Sequence, residues 1–270
     1  MGRCSGWPGS FGRVLGLKMR SGFKGFILAL GFATIVPMPR LASVDQDALR
    51  RGMGFFPVAG LVLGLFLWAL IWTGAQLVPR TVAALLALAL YVLVTGALHL
   101  DGLADTFDAL GSGKPPVKAL EVMKDSRIGT MGAVAVILVL LGKALAFTRI
   151  PVNGPGPWMV VPVLARTSVV WSMRWAPAAR PEGLSALYAG RLTPSTVVAA
   201  TVVGVLAAAI LLSWPRALLL VLLSLGMTLG WVLVVRRRFG GATGDTYGAL
   251  LEVVEWVGFL SLTGGWGDGR

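Results

Sequence analysis

The chain has 270 residues, of which 56% are hydrophobic and 13% charged, against about 25% charged in an average soluble domain. Apolarity of this kind, gathered into long uncharged runs, excludes an ordinary soluble domain and puts the chain in a bilayer. The net charge of +12 then reads as loop charge on a membrane protein rather than a nucleic-acid footprint, and the single cysteine, Cys4, excludes an internal disulfide and argues against a cysteine-based metal site.

The first residues, "MGRCSGWPGSFGRVLGLKMR", are basic and glycine-rich and lack the apolar core and cleavage site of a signal peptide. Residues 1–22 read as a flexible extension, with Met19 an alternative start. Residues 23–37, ending at Pro37, Met38 and Pro39, are apolar but short, which suits a re-entrant or interfacial helix. Seven apolar runs follow, at 54–78, 81–98, 131–148, 158–175, 196–213, 216–235 and 249–263, the last of them short. The expectation is an all-α polytopic bundle: one catalytic membrane domain over 23–263 and a tail at 264–270. In the first run, "FPVAGLVLG" spaces Gly60 and Gly64 for close helix packing.

With seven crossings, alternate loops collect Arg40, Arg50, Arg51, Lys114, Lys118, Lys124, Arg127, Arg180, Arg191, Arg236, Arg237 and Arg238, and the opposite loops only Arg80, Arg149 and Arg216. The first set belongs in the cytoplasm. Asp45, Asp47, Asp101, Asp105, Asp108, Glu121, Asp125, Glu182 and Asp245 fall on the same side. Long loops hold more charge of both signs, which covers Asp45, Asp47, Glu121 and Glu182, but Asp101 and Asp245 sit directly beside apolar runs.

After the second run comes "HLDGLADTFDAL", where Asp101, Asp105 and Asp108 are spaced i, i+4, i+7 and share one helical face. Like charges so placed repel. A divalent cation removes the repulsion, and Mg²⁺ suits a few carboxylates plus substrate phosphates. The alternative is a solvated acidic helix end. His99, the only histidine, precedes the cluster and is a candidate general base, or else a histidine satisfied at a helix interface. The next segment, "KDSRIGTMGA", offers Lys124, Asp125, Ser126, Arg127 and Thr130 ahead of a helix, a combination that suits phosphate but also occurs at ordinary helix starts. Lys143 and Arg166 fall inside runs. For Lys143, snorkelling or internal pairing is expected, and Arg166 should face the bundle interior and meet a carboxylate or an anionic ligand. The last island, "FGGATGDTYGALLEVVEW", sets Asp245 among glycines and places Glu252 and Glu255 further along, either as functional carboxylates or as partners of Arg166 or Lys143.

In this order the islands "FPVAGLVLG", "TGALHLDGLADTFDALG", "ALEVMKDSRIGTMGA", "PVLAR", "ARPEGLSALY" and "GGATGDTYGALLE" resemble the cobalamin synthase family, adenosylcobinamide-GDP ribazoletransferase, over nearly the whole chain. The resemblance implies a Mg²⁺-using enzyme integral to the bacterial or archaeal cytoplasmic membrane, its active site facing the cytoplasm. Its substrates would be adenosylcobinamide-GDP and alpha-ribazole or its 5′-phosphate, and its products adenosylcobalamin or its phosphate, and GMP. Nucleic acid is no partner on this reading, the lipid bilayer is one, and a homo-oligomer stays open. Asp101, Asp105 and Asp108, with Asp125 and Asp245, are then expected to hold the metal. Lys124, Ser126, Arg127, Thr130 and Arg166 are expected to hold substrate, with His99 beside the aspartates as a catalytic candidate. This sequence departs from the family pattern where Ile35 follows Thr34 and the next element reads "PMP", where Ala109 follows Asp108, and at Tyr247 in "GDTYGA". Two rival readings are a CDP-alcohol phosphatidyltransferase, whose Ala-Arg pair is absent after Gly102, and a cation transporter, whose ligands belong near the bilayer midplane rather than at its edge.

Overall fold

The structure, a computed structural model, describes residues 21–37 and 46–264. The N-terminal extension up to residue 20, the positions Met38, Pro39, Arg40 and Asp45, and the tail from residue 265 lie outside the described residues. Twelve α-helices make up the described part: α1 Ser21–Ala33, α2 Gln46–Gly52, α3 Phe56–Leu77, α4 Arg80–Val94, α5 Leu98–Gly111, α6 Pro116–Val122, α7 Thr130–Arg149, α8 Gly156–Trp175, α9 Leu184–Tyr188, α10 Pro194–Leu211, α11 Trp214–Phe239 and α12 Gly244–Ser261. Among these residues no strands pair into a sheet. A single parallel bridge, Ala178 to Ala242, ties the loop after α8 to the loop before α12. Several helices open on a proline in the first turn, where its missing N–H costs nothing.

The axis of the bundle is α8, which is buried on almost every side, its polar residues Arg166, Thr167, Ser168 and Ser172 included. It packs on α3, α10, α11 and α12. Gly60 and Gly64 do what their spacing predicts: a Cβ on Gly60 would lie 2.6 Å from the carbonyl oxygen of Pro162 in α8. The outer helices expose long apolar stripes, such as Val134, Leu138, Leu141 and Leu145 on α7, and Val198, Val202, Leu206 and Ile210 on α10. A soluble protein would cover such faces, whereas lipid leaves them as they are.

Helix occurs at all seven predicted positions, but only four stretches are long and apolar enough to cross a membrane alone: Gln46–Leu77, Thr130–Arg149, Pro194–Leu211 and Trp214–Phe239. A fifth passes only as the pair α4 and α5, which is bent by 87°. The run expected at 81–98 is therefore not one straight helix. It stops at Val94, where Gly96 takes φ +64° and the Gly96 and Ala97 N–H groups donate back to Leu93 and Val92, the helix-ending motif that favours a left-handed glycine. Ala97 follows at φ +53°, rare for a residue with a side chain. Turned by these residues, α5 touches the starts of α7 and α12 and the end of α11.

Candidate active site

The aspartate face is on α5, and the close approach of α5 to α12 brings it a partner. A Cβ on Gly102 would sit 2.8 Å from the backbone oxygen of Asp245, and one on Gly248 would sit 3.2 Å from the backbone of His99. Only glycine at these positions lets the two helices touch backbone to backbone. The loop before α12 is fixed in turn by a reciprocal cap, in which Thr243 Oγ1 accepts from the Thr246 N–H and Thr246 Oγ1 accepts from the Thr243 N–H, 2.9 Å away.

The result is a cluster of carboxylates from distant parts of the chain. Asp101 is exposed, Asp105 is half-buried, and Asp101 and Asp245 line one cavity. Burial pushes the Asp105 carboxyl up to about 7, helped by the charges of Asp101, Asp245 and Asp108. Burial raises the Asp245 carboxyl above its ordinary range, an effect that its bond with Thr243 and the charge of Arg180, from the "ARPEGLSALY" segment, only partly offset; Arg180 also donates to the carbonyl of Leu120. Sequence reasoning had used Arg180 only as a loop charge; its place depends on the Ala178–Ala242 bridge, which no local pattern announces.

Asp108 is occupied differently. Its two oxygens accept from the Gly129 N–H at 2.6 Å and the Gly132 N–H at 2.7 Å, so it caps the start of α7 from another helix. Two of the backbone N–H groups at this helix start are thus held by Asp108 rather than free for a phosphate. Lys124, Ser126 and Thr130 are exposed on or beside the loop that leads there. Arg127 grips Asp125 through two side-chain bonds of 2.7 and 3.0 Å, which holds that carboxyl low, at about 2.

Arg166 lies elsewhere. It is 0% exposed in the middle of α8 and pairs with Glu255, which also accepts from Tyr91 Oη at 2.8 Å and Lys143 Nζ at 2.6 Å. Lys143 donates as well to Glu252, at 2.7 Å. Two cations and two carboxylates therefore neutralise each other between α7, α8 and α12, the internal pairing expected as one alternative for Glu252, Glu255 and Lys143.

His99 and Tyr247 flank the carboxylates in a cavity of about 240 Å³, whose apolar wall includes Phe32, Phe56, Leu98, Val169 and Leu184. His99 is 5% exposed and Tyr247 2%, and neither ring nitrogen of His99 nor the Tyr247 hydroxyl has a hydrogen-bond partner. Burial, and then the Arg166 charge, hold the imidazole down at about 3. A general base works best with a pKa near the working pH, so His99 is better suited to hydrogen bonding as a neutral ring.

The donor set can be tested against Mg²⁺. Among the described residues no three acidic or histidine side chains converge closely enough to hold an ion by themselves. The ion needs only one or two carboxylates when phosphate oxygens and water complete its shell. Asp101, Asp105 and Asp245 are hard oxygen donors whose mutual repulsion a cation would relieve, so the residues fit an ion that arrives with a phosphate substrate.

The family described as Cobalamin-5-phosphate synthase matches residues 25–263 of the chain. An adenosylcobinamide-GDP ribazoletransferase of Brevibacillus brevis is 37% identical over 243 residues, covering 89% of this chain and 98% of the relative. One of Novosphingobium aromaticivorans is 39% identical over 251 residues, covering 90% and 98%, and one of a Roseiflexus species is 38% identical over 244 residues, covering 87% of each. No solved structure matches the chain.

Proposed function

The chain belongs to the cobalamin-5-phosphate synthase family, and from that membership we infer that it is a membrane transferase joining adenosylcobinamide-GDP to alpha-ribazole or its 5′-phosphate. The products are adenosylcobalamin or its phosphate, and GMP. A ribazole hydroxyl oxygen forms a new ester bond to the phosphorus nearer the cobinamide. The bond from that phosphorus to the bridging oxygen breaks and GMP leaves with that oxygen, while the hydroxyl proton passes to a base.

The observation that carries the reading is the meeting of Asp101 and Asp245 at one cavity, made possible by Gly102 and Gly248, with Asp105 near enough to feel both charges. Phosphoryl transfer depends on positioning and charge neutralisation rather than covalent help from the protein. In this reading Asp101, Asp105 and Asp245 hold Mg²⁺. When bound, the ion neutralises the diphosphate and the charge that builds on the leaving oxygen. Asp108 keeps α7 in place so that the α6–α7 loop, with Lys124, Ser126 and Arg127, and Thr130 at the start of α7 face the diphosphate. Arg180 adds a cation from the other side, and Arg166, closed in by Glu255, has no part in binding. Asp125 serves by orienting Arg127. Asp101, exposed beside the cavity, is better placed to take the hydroxyl proton than His99.

The same reading counts seven crossings, with α4, α8 and α12 added to the four evident ones. Neutralisation of Glu252 and Glu255 by Lys143 and Arg166 is what makes α8 and α12 acceptable in lipid. The basic loops then put the site on the cytoplasmic side of a bacterial or archaeal inner membrane. Membranes containing the protein should release GMP only with both substrates and Mg²⁺ present. GMP release without ribazole, or product formed in the presence of a chelator, would defeat the assignment.

A further inference from the structure

The cavity beside the carboxylates has features the transfer chemistry does not require. Its volume of about 240 Å³ exceeds the ~150 Å³ that admits a benzene ring and falls below the ~300 Å³ at which drug-sized ligands begin to fit. A two-ring heterocycle fits; a corrinoid or an entire nucleotide stays outside. No Lys or Arg lines it, so a phosphate has no partner inside. Phe32 and Phe56 meet edge to face at 5.4 Å on the apolar side.

Two residues that line the cavity, His99 and Tyr247, are buried, and the His99 ring nitrogens and the Tyr247 hydroxyl have no hydrogen-bond partner in the protein. Unpaired buried polar groups are unfavourable, and a ligand that pairs with them removes the penalty. Asp101 and Asp245 line the same cavity, so whatever enters it ring first leaves its substituent beside the reacting groups.

We propose that this cavity is the subsite for the flat, neutral heterocyclic base of the ribazole substrate, its free ring nitrogen accepting a hydrogen bond from Tyr247 or His99 and its ribose projecting to Asp101 and Asp245. The proposal rests on the reaction assigned above for the identity of the base. Guanine, the other two-ring base in the reaction, carries donors and acceptors around most of its edge. Two unpaired side chains in an apolar wall would leave much of that edge unsatisfied.

The test uses the full-length protein in nanodiscs. Benzimidazole should inhibit GMP release competitively against ribazole and not against adenosylcobinamide-GDP, and guanosine should not compete with ribazole. Val169→Phe, which fills the cavity from α8, and Leu184→Trp, from the more open α9 side, should each raise the KM for ribazole about tenfold, a loss of about 1.4 kcal/mol. The KM for adenosylcobinamide-GDP should stay within about twofold, under a third of that energy on the same scale. Tyr247→Phe should shift the ribazole KM in the same direction. Competition of benzimidazole with adenosylcobinamide-GDP, competition of guanosine with ribazole, or an unchanged ribazole KM in both filling variants overturns the proposal. Calorimetric binding of benzimidazole to the unmodified protein reads the cavity apart from the reaction. Absent binding sinks the subsite even if GMP is released. Binding abolished by Val169→Phe in a protein that releases no GMP sinks the assigned reaction instead.

Discussion

Glu255→Gln should be among the most destabilising single substitutions in the bundle. The Glu255 carboxylate is 0% exposed and accepts from Tyr91 at 2.8 Å, from Lys143 at 2.6 Å and from Arg166. Neutralising it leaves two buried cations facing Glu252 alone, with Arg166 cut off from its only carboxylate among the described residues. Breaking a buried pair from one side costs about 3–5 kcal/mol, a large part of the ~5–15 kcal/mol that holds a domain together. The double variant Glu255→Gln with Arg166→Met removes one charge of each sign and leaves the Lys143–Glu252 pair, so its loss should fall below the sum of the two single losses by about 1–3 kcal/mol. Denaturant unfolding in detergent micelles, followed by tryptophan fluorescence, measures all three. A Glu255→Gln protein within about 0.5 kcal/mol of the parent, the range typical of a surface substitution, would refute the neutral-cluster reasoning, as would simple additivity in the double variant.

Asp108→Ala removes both acceptors from the start of α7 and should cost about 2 kcal/mol whether or not Mg²⁺ is present, whereas Asp101→Ala in chelator should leave the melting temperature unchanged; thermal unfolding separates a cap from a metal ligand. Gly102→Ala forces a methyl group against the Asp245 backbone, and displacing the carboxylates by roughly 1 Å should lower kcat about a hundredfold while the protein still assembles in the membrane. Asp105 titrates higher in the fold than in the unfolded chain, so its ionisation opposes folding: with chelator present, stability should fall as pH rises from about 4 through about 7. Asp105→Asn should flatten that dependence in a pH series of melting curves and be more stable than the parent at pH 8, though inactive.

The helices were legible because apolar runs of membrane length have one backbone solution. The i, i+4, i+7 aspartates were legible because helical periodicity is local. What escaped was long-range. Asp108 and Gly129 meet across a loop, and no periodicity says that a carboxylate on a shared face is spent capping another helix. The 87° bend rests on Gly96 and Ala97, one ordinary-looking dipeptide inside an apolar stretch. Asp245 was legible as a carboxylate among glycines, but its contact with α5 depends on Gly102, whose reason lies in the tertiary approach. The sequence places Arg166 in the interior, where it lies. Whether its partner would be a ligand or Glu255 depended on which faces of α8 and α12 oppose each other.

On the proposed function, Asp101, Asp105 and Asp245 together form the metal-dependent phosphoryl-transfer site. The direct measurement is single-turnover GMP release by Asp101→Asn, Asp105→Asn and Asp245→Asn in nanodiscs across a Mg²⁺ titration, each protein checked for folding by its melting curve. The account predicts rates at least about a hundredfold below the parent at saturating Mg²⁺, since each variant removes preorganised charge stabilisation of the transition state. Parent-like rates and Mg²⁺ dependence in all three folded variants would contradict it.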